Sequence, residues 1–330
     1  MELDSGSGLP SLDDFLKRTE DLEEVRLRAK ATAGRVWLQA LAFLALALAI
    51  SYFFIGGTAG WVVFGLTAFA AFIWAGIKSA AAIEPYRQAY KERVLAPLVE
   101  EVLPGFEHDP AAGISEETYL ASRLFPSRPD RYSSEDRFSG ELEGVPLTFA
   151  EVHAQEEHED CDEGGCDTSY STIFKGLFAV AEFPKKFAGT VLVYPDCSEK
   201  LLGHLSRGLQ RLGGRFRGLQ LIKLEDPEFE RRFVVYADDP VTARYVLSTS
   251  LMEALRRFRD RHGQIYASFI DGTLYLAVPL HTDLFEPPSV WRKAVDLARL
   301  RRCTEALVMM RSVVTELRLN VRIWGERALE

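Results

Sequence analysis

Four residues with metal-ligating chemistry fall within one short window: His153, His158, Cys161 and Cys166. Thiolates and imidazoles at such spacing can wrap a tetrahedral zinc ion, because a bound cation draws the thiol proton off at neutral pH. The same window, residues 151–167, carries eight acids and no Lys or Arg, and sits between two strand patterns. A solvated hairpin tip is therefore the competing expectation. A calcium loop beginning at Asp160 and Asp162 is excluded, since its fifth and twelfth positions would be Gly164 and Ser171.

Two further constellations carry charge. Arg207, Arg211 and Arg215 recur every four residues with Arg217 beside them, and no acid occurs between Lys200 and Lys223. One helical face so composed would contact anionic lipid headgroups, at ~1 kcal/mol per basic residue near the surface, or be solvated and paired with acids elsewhere. Nucleic acid is not expected, because the wider chain is not basic and aromatic residues are sparse around the stripe. Glu225, Asp226, Glu228 and Glu230 offer carboxylates for acid-base work, yet they have no fixed His or Cys beside them. A membrane-surface hydrolase using these carboxylates is one reading; a turn entering a helix or strand is the other. No nucleophile elbow, phosphate-binding loop, His-Glu-x2-His helix or dinucleotide fingerprint occurs. Catalytic residues are accordingly not assigned.

The elements that must position these groups begin with two long apolar runs. Residues 36–55 contain no charge, and their twenty positions would cover about 30 Å as a helix, one hydrocarbon core. Residues 61–77 form a second run, joined to the first by Gly56-Gly57-Thr58-Ala59-Gly60. Six Lys and Arg (Lys17, Arg18, Arg26, Arg28, Lys30, Arg35) precede the pair, four (Lys78, Arg87, Lys91, Arg93) follow it, and the turn has none. Basic residues resist translocation, so a membrane hairpin with both termini cytoplasmic is expected. Small residues at four-residue spacing, Ala45 with Ala49 and Ala71 with Ala75, would let the two backbones approach or serve a second copy of the hairpin in a homo-oligomer.

These runs divide the chain into a cytoplasmic arm with an amphipathic helix (1–35), a transmembrane helical hairpin (36–83), a juxtamembrane connector helix (84–115) and a cytoplasmic domain (116–330). The connector shows Ile83, Tyr86, Tyr90, Val94, Leu98 and Val102 at helical spacing, with bends expected near Pro85 and Pro97. From Arg137 the apolar period changes to two. Glu143-Gly144 and Asp271-Gly272 mark hairpin turns, residues 173–183, 190–194, 219–224 and 232–236 read as strands, and 321–324 as an edge strand. Helices are expected over 200–212, after Asp239-Pro240, from Ser250, and from Ser289 to about Leu317. Hairpins mixed with helices, without regular strand-helix alternation, predict α+β with a largely antiparallel sheet and flanking helices. The net charge of −9 is concentrated in the acidic window, and four cysteines in a chain placed mostly in the cytosol predict reduced thiols without a disulfide framework.

The residues Phe174-Lys175-Gly176-Leu177-Phe178, then Leu224-Glu225-Asp226-Pro227-Glu228-Phe229-Glu230 with Phe233 and Tyr236, then Ala243-Arg244-Tyr245, Leu251-Met252-Glu253 and Leu284-Phe285-Glu286-Pro287 carry a resemblance. The chain resembles the bacterial domain-of-unknown-function family 3137 over about residues 85 to 290, and the family's two N-terminal spans match as well. The resemblance implies no reaction, cofactor or catalytic residue; it implies association with LemA-type coiled-coil membrane proteins. The Cys-bearing acidic loop departs from the family pattern. The expected function is a membrane-tethered cytoplasmic interaction or scaffold module in the bacterial inner membrane, binding proteins or the inner-leaflet surface. A membrane-surface hydrolase near Glu225 and a zinc-responsive sensor through the 153–166 loop are the alternatives.

Overall fold

A computed structural model describes residues 12–55, 57–125, 127–162, 165–196, 218–294, 296–317 and 319; for residues 12–20, 54, 55, 160–162, 165 and 166 it describes the backbone alone. The chain forms two compact units, Met1–Glu101 with Leu284–Cys303, and Val102–Asp283 with Thr304–Glu330.

The first unit is built on a helical hairpin. Helix α1 (Leu12–Ile50) runs without a break from the amphipathic arm into the first apolar run, ends in a π turn at Ser51–Ile55, and is followed by α2 (Gly57–Tyr90). Gly57 takes a positive φ of 57°, which disfavours a side chain there, and a Cβ on Gly60 would lie 3.0 Å from both the carbonyl oxygen and the hydroxyl of Ser51, so a larger residue there would press on Ser51. The Ser51 hydroxyl donates to the Gly60 carbonyl across it. Small residues line the seam: Ala29, Ala33 and Ala40 of α1 and Ala71, Ala75 and Ser79 of α2 are buried. Ala71 and Ala75 thus serve as expected. Ala45 and Ala49 face outward instead, because the α1 face turned to α2 is set by Ala33 and Ala40.

The helix continues through Pro85 and widens into a π turn only at Lys91–Leu95, before α3 (Ala96–Val102). Pro97 explains the position of that turn. Its ring would collide with the carbonyl four residues back, and the wider turn, closed by the Ala96 amide donating to the Lys91 carbonyl, makes room. Leu22, Ala29, Tyr86, Ala89, Tyr90 and Val94 form a core with Val290 and Ala294 of the returning segment.

The second unit holds a sheet of nine described strands: β1 (Glu107–Asp109), β2 (Arg131–Leu142), β3 (Val145–Asp162), β4 (Gly165–Glu182), β5 (Thr190–Pro195), β6 (Gln220–Ile222), β7 (Phe233–Ala237), β8 (Tyr266–Ile270) and β9 (Thr273–Pro279). Their order is β1-β2-β3-β4-β9-β8-β5-β7-β6, every neighbour antiparallel. Short helices α4 (Glu116–Ala121), α5 (Pro227–Glu230), α6 (Pro240–Val246) and α7 (Thr249–His262) flank it, and α8 (Leu297–Glu316) begins in the first unit and continues in the second. The fold is α+β with a large antiparallel sheet. Both turn dipeptides do what their chemistry dictates: Glu143 and Gly144, then Asp271 and Gly272, have positive φ and close tight two-residue hairpins.

β4 is an interior strand, paired with β3 on one side and β9 on the other. Phe174 and Phe178 enter a core with Ile114, Tyr119, Phe125, Ala150, Val152 and Ala154. Gly176 between them has φ 154°, and a Cβ there would lie 2.1 Å from the Val278 carbonyl oxygen. The family-like motif therefore needs glycine because the β9 backbone passes through that space.

Two expectations change. The helix expected from Ser289 begins at Leu297, where Asp296 accepts from the Ala298 and Arg299 amides at 3.0 and 3.4 Å. Upstream, the chain is held to α1 by Arg26 and Glu23, and tertiary contact overrides the capping signal. The acidic window is not a loop: β3 and β4 remain in register from Gln155↔Thr172 to Asp162↔Gly165, well past the last pairing of β3 with β2 at Gln155 and of β4 with β9 at Gly176. It is a two-stranded ribbon projecting from the sheet. The expected helix over 200–212 and edge strand over 321–324 lie outside the described residues.

Candidate functional site

Strands β2, β3 and β4 place four ionisable side chains, Glu135, Glu151, His153 and Lys175, around one notch. Period-two geometry sends Val152, Ala154, Phe174 and Phe178 to the apolar core and their alternates to the opposite face. There Ser133, His153 and Lys175 are partners across three strands, and Glu135 pairs with Glu151 in the next row. The loop after β9 completes the notch with Thr282 and Asp283. Lys175 Nζ lies 2.9 Å from Asp283 Oδ1, and the Lys175 carbonyl accepts from the Leu280 amide at 2.9 Å, so strand and loop are fixed to each other. Glu151 is only 7% exposed. Burial holds the His153 imidazole below its usual range; the Lys175 ammonium adds to this and Asp283 opposes it. A neutral ring at pH 7 follows. The notch thus presents an imidazole among carboxylates and one ammonium, with room for little more than a water molecule.

Sequence reasoning missed this notch because it began the first hairpin at Arg137, leaving Ser133 and Glu135 in a loop. The available signal was alternation, Ser133 with Glu135 and Glu151 with His153. A second missed pair lies beside it. His108 Nε2 is 2.9 Å from Asp136 Oδ1, both side chains are buried, and the imidazole stacks on Phe138 at 4.4 Å. Asp136 has φ 55° at the bulge between Glu135 and Phe138, so this pair secures an irregularity in β2.

Of the expected metal ligands, Cys161 and Cys166 are directly opposite partners in the ribbon, while His158 lies three residues from Cys161 and bonds Ser171 Oγ at 2.7 Å. His153 is five residues further back, about 16 Å along an extended strand, and approaches Thr172 Oγ1 at 3.4 Å. The structure brings the cysteine positions together and does not bring His153 to them. Among the described residues no group of three or more His, Cys, Asp and Glu is arranged to hold a metal ion. Arg207, Arg211 and Arg215 lie outside the described residues, as does Arg217. The acidic group near Glu225 has structural duties. Asp226 caps α5 through the Glu228 and Phe229 amides, Glu230 accepts from the Leu224 amide at 2.8 Å, and Glu228 pairs with Arg231 and Arg232. Glu225 is exposed.

The first unit offers a different surface. Two of its helices, Asp21–Phe53 and Gly57–Val102, are long and apolar enough to cross a membrane. Leu41, Phe43, Leu46, Phe53, Leu66, Phe69 and Phe72 stand exposed around the hairpin, Phe53 at 76% and Trp61 at 67%. Below this collar, Arg26 is buried; it pairs with Glu23 at 2.6 Å and donates to the Val290 carbonyl, while Glu23 Oε2 accepts from the Ala294 amide at 3.0 Å. These contacts clamp residues 290–294 onto α1.

Fold and surfaces together define an α+β protein carrying an apolar helical hairpin of membrane length. Residues 172–319 match the family model described as "Protein of unknown function (DUF3137)", so the resemblance carried by the Phe174-to-Phe178 motif is shown for that stretch. The match starts in β4 and ends beyond α8, outside the hairpin. No curated protein matches this chain. A solved structure, the mycobacterial trehalose monomycolate transport factor A (TtfA), is similar over 62% of this chain and 88% of its own at 10% identity, with a TM-score of 0.33, a likeness too small to carry an argument.

Proposed function

We propose that the chain is a two-span protein of the bacterial inner membrane, both ends cytoplasmic, whose hairpin tethers the α+β unit at the membrane as an interaction module. The observation that carries the reading is the collar of exposed Leu, Phe and Trp between Arg35 and Lys78, which contains no charge. In water a surface this apolar would be covered by other protein; in hydrocarbon it is the natural solvent-facing surface. The Lys and Arg on both flanks, and none in the turn, favour inward termini. For partners, the projecting ribbon supports protein binding: its edges beyond Gln155 and Thr172 have no strand beside them among the described residues. LemA-type membrane proteins are the partner class the family resemblance suggests.

The test is vesicle flotation and alkaline-carbonate extraction of the full chain, with a cytoplasm-active reporter fused after Glu330 and, separately, into the turn after Gly57. Retention in the membrane with only the terminal fusion active is expected. A chain that stays dispersed without detergent, or a terminal fusion that is inactive while the turn fusion is active, overturns the reading. Crosslinking in native membranes followed by mass spectrometry identifies the partner.

A further inference from the structure

The clamped segment of the first unit presents Trp291 59% exposed to its surroundings, unusual for the largest apolar side chain of a folded unit. Lys30 Nζ lies over its ring at 5.4 Å from the centroid. Arg292 and Lys293 follow it, both exposed and neither in an ion pair among the described residues. Of the acids nearby, Glu23 pairs with Arg26, with the Lys293 ammonium also helping to hold its carboxyl below the usual range, and Glu24 pairs with Arg28 at 3.3 Å. Arg26 grips the Val290 carbonyl, and Lys30, four residues on and so about 6 Å along α1, meets Trp291. The segment is therefore gripped one helical turn farther from the apolar run and shows its tryptophan one turn nearer to it.

We infer that Trp291, with Lys30, Arg292 and Lys293, forms an interfacial foot that enters the headgroup layer of the inner leaflet and pairs with anionic lipid phosphates. The inference rests on the hairpin lying in the membrane. On α1, Lys30 is six residues before Val36, about 9 Å below the uncharged run, and the headgroup layer is about 5–8 Å deep, within reach of long side chains. Tryptophan favours that layer because its ring is apolar and its N–H needs a wet partner, and basic side chains there gain from the negative surface potential. The foot lies in a stretch separated by some 250 residues of sequence from the helix it stands on, and sequence hydropathy does not mark it.

The full chain is reconstituted into vesicles of phosphatidylcholine alone or with three-tenths phosphatidylglycerol, as wild type and as Trp291→Phe. The difference between the two emission spectra reports Trp291 by itself, separate from Trp37, Trp61, Trp74 and Trp324. In anionic vesicles this contribution is expected to shift to shorter wavelength and to fall at least twofold when the lipid is brominated near the headgroup. In zwitterionic vesicles, and in Arg292→Gln/Lys293→Gln, the quenching is expected to be at least twofold weaker. A Trp291 contribution quenched by aqueous iodide and untouched by brominated lipid overturns the foot and points to a protein-facing surface. Equal quenching in both vesicle compositions overturns the role of the cations. If the chain fails to float with vesicles at all, the tether reading fails; if it floats with Trp291 in water, only the foot fails.

Discussion

The hairpin and the sheet are built by opposite rules. In the sheet unit Phe138, Phe149, Phe178 and Phe269 are fully buried, and the buried Asp136 is paired with His108. In the hairpin alanine, glycine and serine lie inside while Leu, Phe and Trp point out. One arrangement is driven by removing apolar area from water, the other by close packing of small residues where no such drive exists. The difference is what supports the proposal that the two units meet different solvents.

The comparison breaks first where charge meets the collar. Leu46→Arg with Phe69→Arg, both on outward faces, is expected to cost about 5–7 kcal/mol of insertion and to release the chain from carbonate-washed membranes. Leu221→Arg, equally an exposed apolar residue but on edge strand β6, is expected to change stability by less than about 0.5 kcal/mol, checked by urea denaturation in detergent. Next in size, Phe178→Ala opens the sheet core and should cost about 3–5 kcal/mol. Gly176→Ala, facing both a strained φ and the Val278 carbonyl, should cost about 2–4 kcal/mol. Both lower the urea midpoint of the sheet unit and leave carbonate extraction unchanged. Smaller again is the seam: Ala75→Leu forces bulk between α1 and α2 at about 1–3 kcal/mol, whereas Ala45→Leu, pointing outward, should be neutral in thermal melts.

The smallest effect is titration. Burial lowers both His153 and His262, so the unfolded chain takes up these protons first as pH falls. Their contribution is present above the ordinary histidine range near 6.5 and is lost below it. Around His262 the Glu316 carboxylate opposes the shift and Arg261 adds to it. The urea midpoint is expected to fall between pH 7 and pH 5, and His262→Gln to reduce that fall.

Local chemistry made much of this fold readable. Asp271-Gly272 and Glu143-Gly144 can close tight turns by themselves, and the missing charge between Arg35 and Lys78 is visible without any structure. The ribbon was half visible: eight acids argue for solvent, and solvent is where the ribbon stands, but its strands persist because cross-strand register simply continues from the sheet. The notch and the clamp were not visible, since each depends on contacts distant in sequence. Asp283 reaches Lys175 from the loop after β9, and Val290 meets Arg26. Ser289 carried a sound capping signal that the clamp overrode.

The return of Leu284–Cys303 to the first unit has a consequence for synthesis. Tyr86 and Leu22 leave the ribosome early, yet the Val290 and Ala294 that cover them follow only after roughly 200 further residues. At about 5–20 residues per second, that is about 10–40 s in which a greasy flank beside the emerging hairpin waits uncovered. The newborn protein spends that interval dependent on whatever in the cell shields it.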